Sequence, residues 1–167
     1  KDKEVILANE KGVYPVPFAM AYDSIIPVVH PSNNLTAITL AQLKDIYMGK
    51  IRNFKEIGGP DLKIVICSRD TSSGTYETWE GKVMKKERVT PAAQLMASNG
   101  AVAQAVSNNK YAIGYIGIGY LNDSVKPLKV DGIEGTKEST LNGTFPISRP
   151  LFMFTIGWPT GDTLNFV

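Results

Sequence analysis

The residue types that could do chemistry are gathered in one stretch, Ser68-Arg69-Asp70-Thr71-Ser72-Ser73-Gly74-Thr75-Tyr76-Glu77-Thr78-Trp79-Glu80. Ser73 and Thr75 carry hydroxyl donors. Gly74 lets another group come close to the backbone. Arg69 offers a planar cation suited to oxyanions. The chemistry these residues suit is the binding of an anion, and they need elements that hold them together. Leu62-Lys63-Ile64-Val65-Ile66-Cys67 is mostly apolar and β-branched, which predicts a buried strand. Tyr76, Trp79, Val83 and Met84 recur at helical spacing. The polar stretch therefore joins a strand end to a helix start, with Ser73 or Thr71 as the N-cap. The first amides of such a helix have no internal partners and carry the positive end of its dipole. These are the parts of an anion cradle. The same residues also suit an ordinary capped helix beside a solvated arginine.

Other chemistries find less support. His30 is the single histidine, and no His, Cys and carboxylate cluster has metal spacing, so neither a metal nor a cofactor is expected. Serine catalysis at Ser73 needs a base, and one histidine at the end of a distant strand is a poor one. Gly81-Lys82-Val83 lacks the hydroxyl and the glycine spacing of a nucleotide loop. The expectation is a binding module and not an enzyme.

The chain of 167 residues is long enough for one domain with a real core. Eighteen basic against sixteen acidic residues give a net charge of +2, which makes no case for nucleic acid or an anionic membrane. No apolar run approaches the roughly 20 residues of a membrane span. Lys1-Asp2-Lys3-Glu4 starts charged and leads into no signal-peptide core, so an exported protein would carry its signal elsewhere. Cys67 is the only cysteine; it excludes an internal disulfide and sits in an apolar run as a small core residue. Lys82, Lys85, Lys86 and Arg88 read as a solvated helix end.

In chain order, residues 1–12 suggest a short helix stopped by Gly12. Val13–Met20 and Ser24–His30 suggest strands interrupted by Pro15, Pro17 and Pro27, which suit edge or crossing strands better than a central sheet. Thr39 caps a helix with Leu40, Leu43, Ile46 and Tyr47 on its apolar face, and Gly49 ends it. Pro91 to Met96 suggests a further helix, broken at Ser98-Asn99-Gly100 and followed by another through Asn109. Ala112–Ile118 is a strand covered on both faces. Val125–Val130 is a further strand, a helical turn is expected at Ser139–Leu141, and Leu151–Trp158 is the last strand before a helix opening at Pro159. Strands alternating with helices indicate an α/β fold with a parallel or mixed sheet. In such sheets ligands sit beyond the carboxyl ends of strands, where Arg69–Thr75 falls.

The order Arg, three residues, Ser-Gly-Thr resembles the anion-binding motif of periplasmic phosphate-binding proteins, the solute receptors of ABC phosphate importers. Thr39–Phe54 is similar to that family's "L-x-x-I-F-x-G-K-I-x-N-W" segment. Ala112-Ile113-Gly114-Tyr115-Ile116-Gly117 is similar to its "A-I-G-Y-V" strand, and Phe145-Pro146-Ile147-Ser148-Arg149-Pro150-Leu151 to its "Y-P-L-S-R-P-L" return strand. The four blocks occur in the family's order, across residues 13–155.

The resemblance implies a periplasmic-binding-protein-like (type II) α/β lobe, with a mixed sheet flanked by helices and remnants of a second lobe. Residues 26–147 would be the lobe with the cradle. Residues 1–25 would hold a remnant of the other lobe and the first crossing segment, and 148–167 the second crossing. The chain would then be truncated to mainly the second lobe, the first lobe's share of the site being absent. The implied ligand is inorganic phosphate, held by Arg69, Ser73, Gly74 and Thr75: the guanidinium of the first, the hydroxyl and amide of Ser73 and Thr75, and the amide of Gly74. Asp70 or Thr71 would orient Arg69, and Asn99 would border the cleft. The implied partner is the importer's membrane permease. The implied location is periplasmic or extracellular, with a lipid anchor on the full-length protein. Another oxyanion (sulfate or molybdate) and a non-transport signalling lobe of the same fold are the alternatives.

Overall fold

The computed structural model describes residues 2–167, and Lys1, the start of the expected first helix, lies outside the described residues. Helix α1 is Asp2–Glu10, and the chain turns after it at Gly12, φ 74°. Strand β1 runs without a break from Pro15 to Val29. The two strands expected there are one, and around Pro27 it is not an edge: β5 pairs with Ile25–Val29 on one side and β6 with Val28 and Val29 on the other. Pro27 is tolerated because it falls where the ladder to β6 stops. That ladder holds only Val28 and Val29. The Pro27 carbonyl still accepts from the Leu128 amide at 2.9 Å.

Strand β2 (Ala37–Ile38) leads to helix α2 (Leu40–Tyr47). Thr39 caps α2 in a reciprocal box with Gln42, as its sequence predicts. Leu43, Ile46 and Tyr47 are buried. Gly49, φ 78°, lies just past the helix end. Strand β3 (Val65–Arg69) enters the cradle segment, and helix α3 (Gly74–Trp79) leaves it, continuing as a wider π turn over Glu80–Met84. Lys85 and Lys86, with φ of 53° and 67°, end that helical segment.

Next comes strand β4 (Gln94–Met96), where a helix was expected. Three residues carry too little pattern to set their own conformation. Pairing sets it: β4 lies parallel to β3, with Cys67 opposite Gln94, Ser68 opposite Leu95 and Arg69 opposite Met96. Helix α4 (Asn99–Ser107) follows at once. Ser98-Asn99-Gly100 therefore starts a helix and breaks none, because the Ser98 hydroxyl caps the Ala101 amide at 3.0 Å. Strand β5 (Ala112–Gly117) is buried along its whole length. The single strand expected at Val125–Val130 is two short ones, β6 (Lys126–Pro127) and β7 (Lys129–Val130), which pair with β1 and β2 in different sheets. Helix α5 (Lys137–Leu141), strand β8 (Ser148–Ile156) and helix α6 (Gly161–Phe166) complete the chain.

The main sheet has the order β4-β3-β5-β1-β6, with β8 also paired to β1. Strands β4, β3 and β5 are parallel, and β1 is antiparallel to β5 and β6. The sheet is mixed and helices flank it, as the resemblance implies. Helix α4 packs on β5 at Gly114, where a Cβ would stand 2.5 Å from Val102 Cγ1 and 3.0 Å from Val106 Cγ2. Any side chain at that position would push the helix off the sheet. By compactness the chain divides into two units, Asp23–Arg149 and residues 1–22 with 150–167. Among the described residues, every buried aliphatic and aromatic side chain apart from Pro159 belongs to the first of these.

Candidate functional site

Strand β3 delivers Arg69 in a fixed pose. Its backbone amide donates to the Tyr115 hydroxyl at 3.1 Å, and that hydroxyl also bonds Ser68 Oγ at 3.0 Å. Burial pushes the Tyr115 hydroxyl up to about 12, so it stays protonated and serves as a strut. Tyr115 in turn stacks on Trp79 of α3, with ring centroids 4.0 Å apart and planes within 8°. Tyr47 leans on both rings and gives its hydroxyl to the Cys67 carbonyl at 3.1 Å. One buried aromatic cluster thus ties the end of β3 to the helix that follows it.

Ser73 caps α3. Its Oγ accepts from the Thr75 amide at 3.2 Å and the Tyr76 amide at 3.3 Å. A hydroxyl that accepts two amides has its own proton left to give. The Ser73 amide donates to the Asp70 carbonyl at 3.1 Å. Two of the amides that the resemblance implied for the ligand, those of Ser73 and Thr75, are therefore engaged within the chain. The Gly74 amide, the Ser73 O–H and the Thr75 hydroxyl have no acceptor among the described residues.

Arg69 is nearly buried, at 9% exposure. Its Nε donates to the Met96 carbonyl and its Nη2 to the Ala97 carbonyl, each at 3.1 Å. The Asp70 carboxylate stands 3.7 Å from Nη2. Nη1 has no hydrogen-bond partner among the described residues. The carbonyls come from the end of β4, whose register with β3 brings them alongside. Reading that segment as helix hid them from the sequence analysis. Of the two residues proposed to orient Arg69, Asp70 is the one beside it. The Ser72 hydroxyl and amide hold the Asp70 carboxyl below the usual range, with Arg69 adding to the effect. Thr71 is exposed and lines a cleft of about 410 Å³ whose walls mix Arg69, Glu80 and Arg88 with Val89, Pro91 and Leu95. Ser73, Gly74 and Thr75 do not line that cleft. Asn99 uses its side-chain oxygen on the Gly117 amide at 3.3 Å, joining the start of α4 to the end of β5.

One residue at the cradle escaped the sequence analysis. Arg149, near the start of β8, donates from Nη1 to the Gly74 carbonyl, and to Thr78 Oγ1 at 2.8 Å. Its other edge grips Asp23 Oδ2, at 3.3 Å from Nε and 3.0 Å from Nη2. Its one sequence signal is its place in a block shared with a known family.

A family model described as the PBP superfamily domain matches residues 1–165. The phosphate-binding protein PstS of Staphylococcus epidermidis is 34% identical over 165 residues, covering 92% of this chain and 50% of that protein. The phosphate-binding protein PstS of Borreliella burgdorferi is 34% identical over 157 residues, covering 87% and 56%. The chain spans about half the length of these curated relatives. Among solved structures, a protein of Clostridium perfringens described as a phosphate ABC transporter substrate-binding protein, with bound phosphate, is 37% identical. It superposes with a TM-score of 0.83 over 95% of this chain and 65% of its own. An ABC-type phosphate transport receptor of Vibrio cholerae is 28% identical with a TM-score of 0.85, covering 98% and 76%.

Proposed function

Because the chain belongs to the PBP superfamily, we propose that it binds inorganic phosphate, as the solute receptor, or the anion-binding lobe of one, for an ABC-type phosphate importer. The observation that carries this reading is the start of α3. There the Ser73 O–H, the Gly74 N–H and the Thr75 hydroxyl stand without acceptors one short loop from the Arg69 guanidinium. Hydrogen bonds to a charged partner are worth roughly 1.5–3 kcal/mol each. Three or four of them, less the cost of association, support an affinity on the order of millimolar. In this reading residues 26–147 are the anion lobe, and 1–25 and 148–167 carry the crossings and a remnant of the other lobe. The compact unit Asp23–Arg149 supports that division. The partner of the whole receptor is the importer's permease, and the site of action is periplasmic or extracellular.

The reading is of a receptor and not an enzyme. The Ser73 hydroxyl is bonded by amides, and the imidazole of His30 is bonded to Ser32 Oγ at 2.8 Å. No helix among the described residues is long and apolar enough to cross a membrane.

The test is an amide NMR titration with phosphate and then sulfate. Shifts concentrated at Ser73, Gly74 and Thr75 are expected. Arg69→Ala is expected to weaken binding at least about tenfold, the worth of one charge-assisted bond. Equal affinity in that variant removes Arg69 from the site. Gly74→Val is a second probe. A Cβ at Gly74 meets only Arg149 Nη1, at an ordinary 3.5 Å, so a loss of binding there reports on the anion's approach together with the Arg149 contact.

A further inference from the structure

We propose that Arg149 is a positioning residue for this cradle, acting through the Gly74–Thr75 peptide. The proposal rests on the phosphate reading of Ser73–Thr75. Three observations support it. First, the guanidinium is divided between two tasks. Nε and Nη2 lie on Asp23 Oδ2, while Nη1 reaches the Gly74 carbonyl and Thr78 Oγ1. A planar fork can do both at once, and a lysine ammonium cannot. Second, the pair is mostly out of solvent, with side chains 18% and 20% exposed, so water screens it little. Third, Thr78 Oγ1 also donates to the Gly74 carbonyl, at 3.1 Å. One carbonyl thus gathers both a guanidinium and a hydroxyl.

That carbonyl shares its peptide plane with the Thr75 N–H. Fixing the oxygen fixes where the N–H points, and drawing electron density to the oxygen makes the N–H a better donor. The Thr75 N–H holds Ser73 Oγ as an acceptor, which leaves the Ser73 proton free to be donated. A chain of contacts therefore runs from Asp23 through Arg149, the Gly74–Thr75 peptide and Ser73 Oγ to the donor that would meet the anion.

The test compares the parent chain with Arg149→Lys and Thr78→Val by amide NMR, with and without inorganic phosphate. In Arg149→Lys the Thr75 resonance is expected to move before any phosphate is added, while α4 and β5 resonances stay in place. The phosphate dissociation constant is expected to rise roughly tenfold, near the lower end for one charge-assisted bond. Thr78→Val keeps the Asp23–Arg149 pair and is expected to change both quantities in the same direction, by about twofold, the lower end for a neutral bond. An unmoved Thr75 amide with parental affinity overturns the proposal. So does weaker binding accompanied by resonance changes throughout α4 and β5, since Arg149 would then hold the fold and not the cradle. If Arg149→Lys does not fold, Thr78→Val decides by the same two readouts. A parent that shows no phosphate shift fails the phosphate reading. The phosphate-free Thr75 resonance still decides whether Arg149 sets that peptide: movement upholds it, and constancy overturns it.

Discussion

The unit Asp23–Arg149 and the unit formed by residues 1–22 and 150–167 use apolar residues in opposite ways. In the first, Trp79, Tyr47, Tyr115, Phe54 and Phe145 are buried to about the last ångström, around strands β3, β5 and part of β1. In the second, Tyr14, Ile156, Trp158 and Phe166 are 66–83% exposed, and no aliphatic or aromatic side chain among the described residues apart from Pro159 is buried. Apolar content alone does not make a core. A core needs strands with both faces covered, as in β5, whereas β8 past Arg149 is exposed at most positions and no more than half-buried at Leu151 and Thr155. Each tryptophan sits in a different unit, so the contrast can be measured directly.

The largest expected effect is on stability. Trp79→Ala removes a fully buried ring stacked on Tyr115 and should cost about 3–5 kcal/mol. Trp158→Ala, at a position 71% exposed, should cost under about 1 kcal/mol. Urea unfolding of both variants checks this, and similar losses would erase the distinction between the units.

A second prediction concerns alkaline pH. Burial raises the Cys67 thiol to about 11 and the Tyr115 hydroxyl to about 12, and it raises Tyr47 as well. The folded state therefore keeps protons that the unfolded chain gives up from about pH 8.5–10. Stability contributed by these groups is fully present below that range and falls as pH rises through it toward 11–12. Denaturation midpoints followed from pH 8 to 11 should decline, and a flat profile would remove the buried hydroxyls and thiol as its cause. Cys67 should also resist a thiol reagent at pH 8 until the chain unfolds.

A finer measurement separates the two indoles. With Trp158→Phe, the remaining Trp79 emission should be blue-shifted and resist acrylamide. With Trp79→Phe, Trp158 should be quenched several-fold more readily, in proportion to its exposure. The smallest effect on stability is expected at Ile156→Ser, 83% exposed, within about 0.5 kcal/mol, with lower binding of an apolar dye as the readout.

Local signals revealed what local forces decide. The Thr39 capping box, the turn at Gly49, the Ser73 cap and the buried run at β5 each rest on residues within a few positions of one another, and each stands where the sequence places it. What escaped depends on partners far along the chain. Strand β4 exists through its pairing with β3, and Pro27 is tolerated because of where a two-residue ladder ends. The site divides the same way. Arg69, Ser73, Gly74 and Thr75 lie within seven residues of one another, so one window of sequence suffices to propose them together. The engagement of Arg69 by Met96 and Ala97, and of Arg149 by Asp23 and Gly74, joins residues that no window of sequence contains together.

The pairing of β1 with β5, from Ile25 opposite Gly117 to Val29 opposite Ile113, also has a consequence in time. Among the described residues, β1 gains its first sheet partner at Ile25–Val29 only when residues 112–117 have been made. The β3, β4, α4 and β5 segment can assemble from nearby pieces, but closing the sheet means bringing together ends separated by most of the lobe. Such distant pairing slows folding and leaves an open strand edge during the wait. A chaperone acting on this protein would have its work at that stage, with Ile25, Ile26, Val28 and Val29 uncovered.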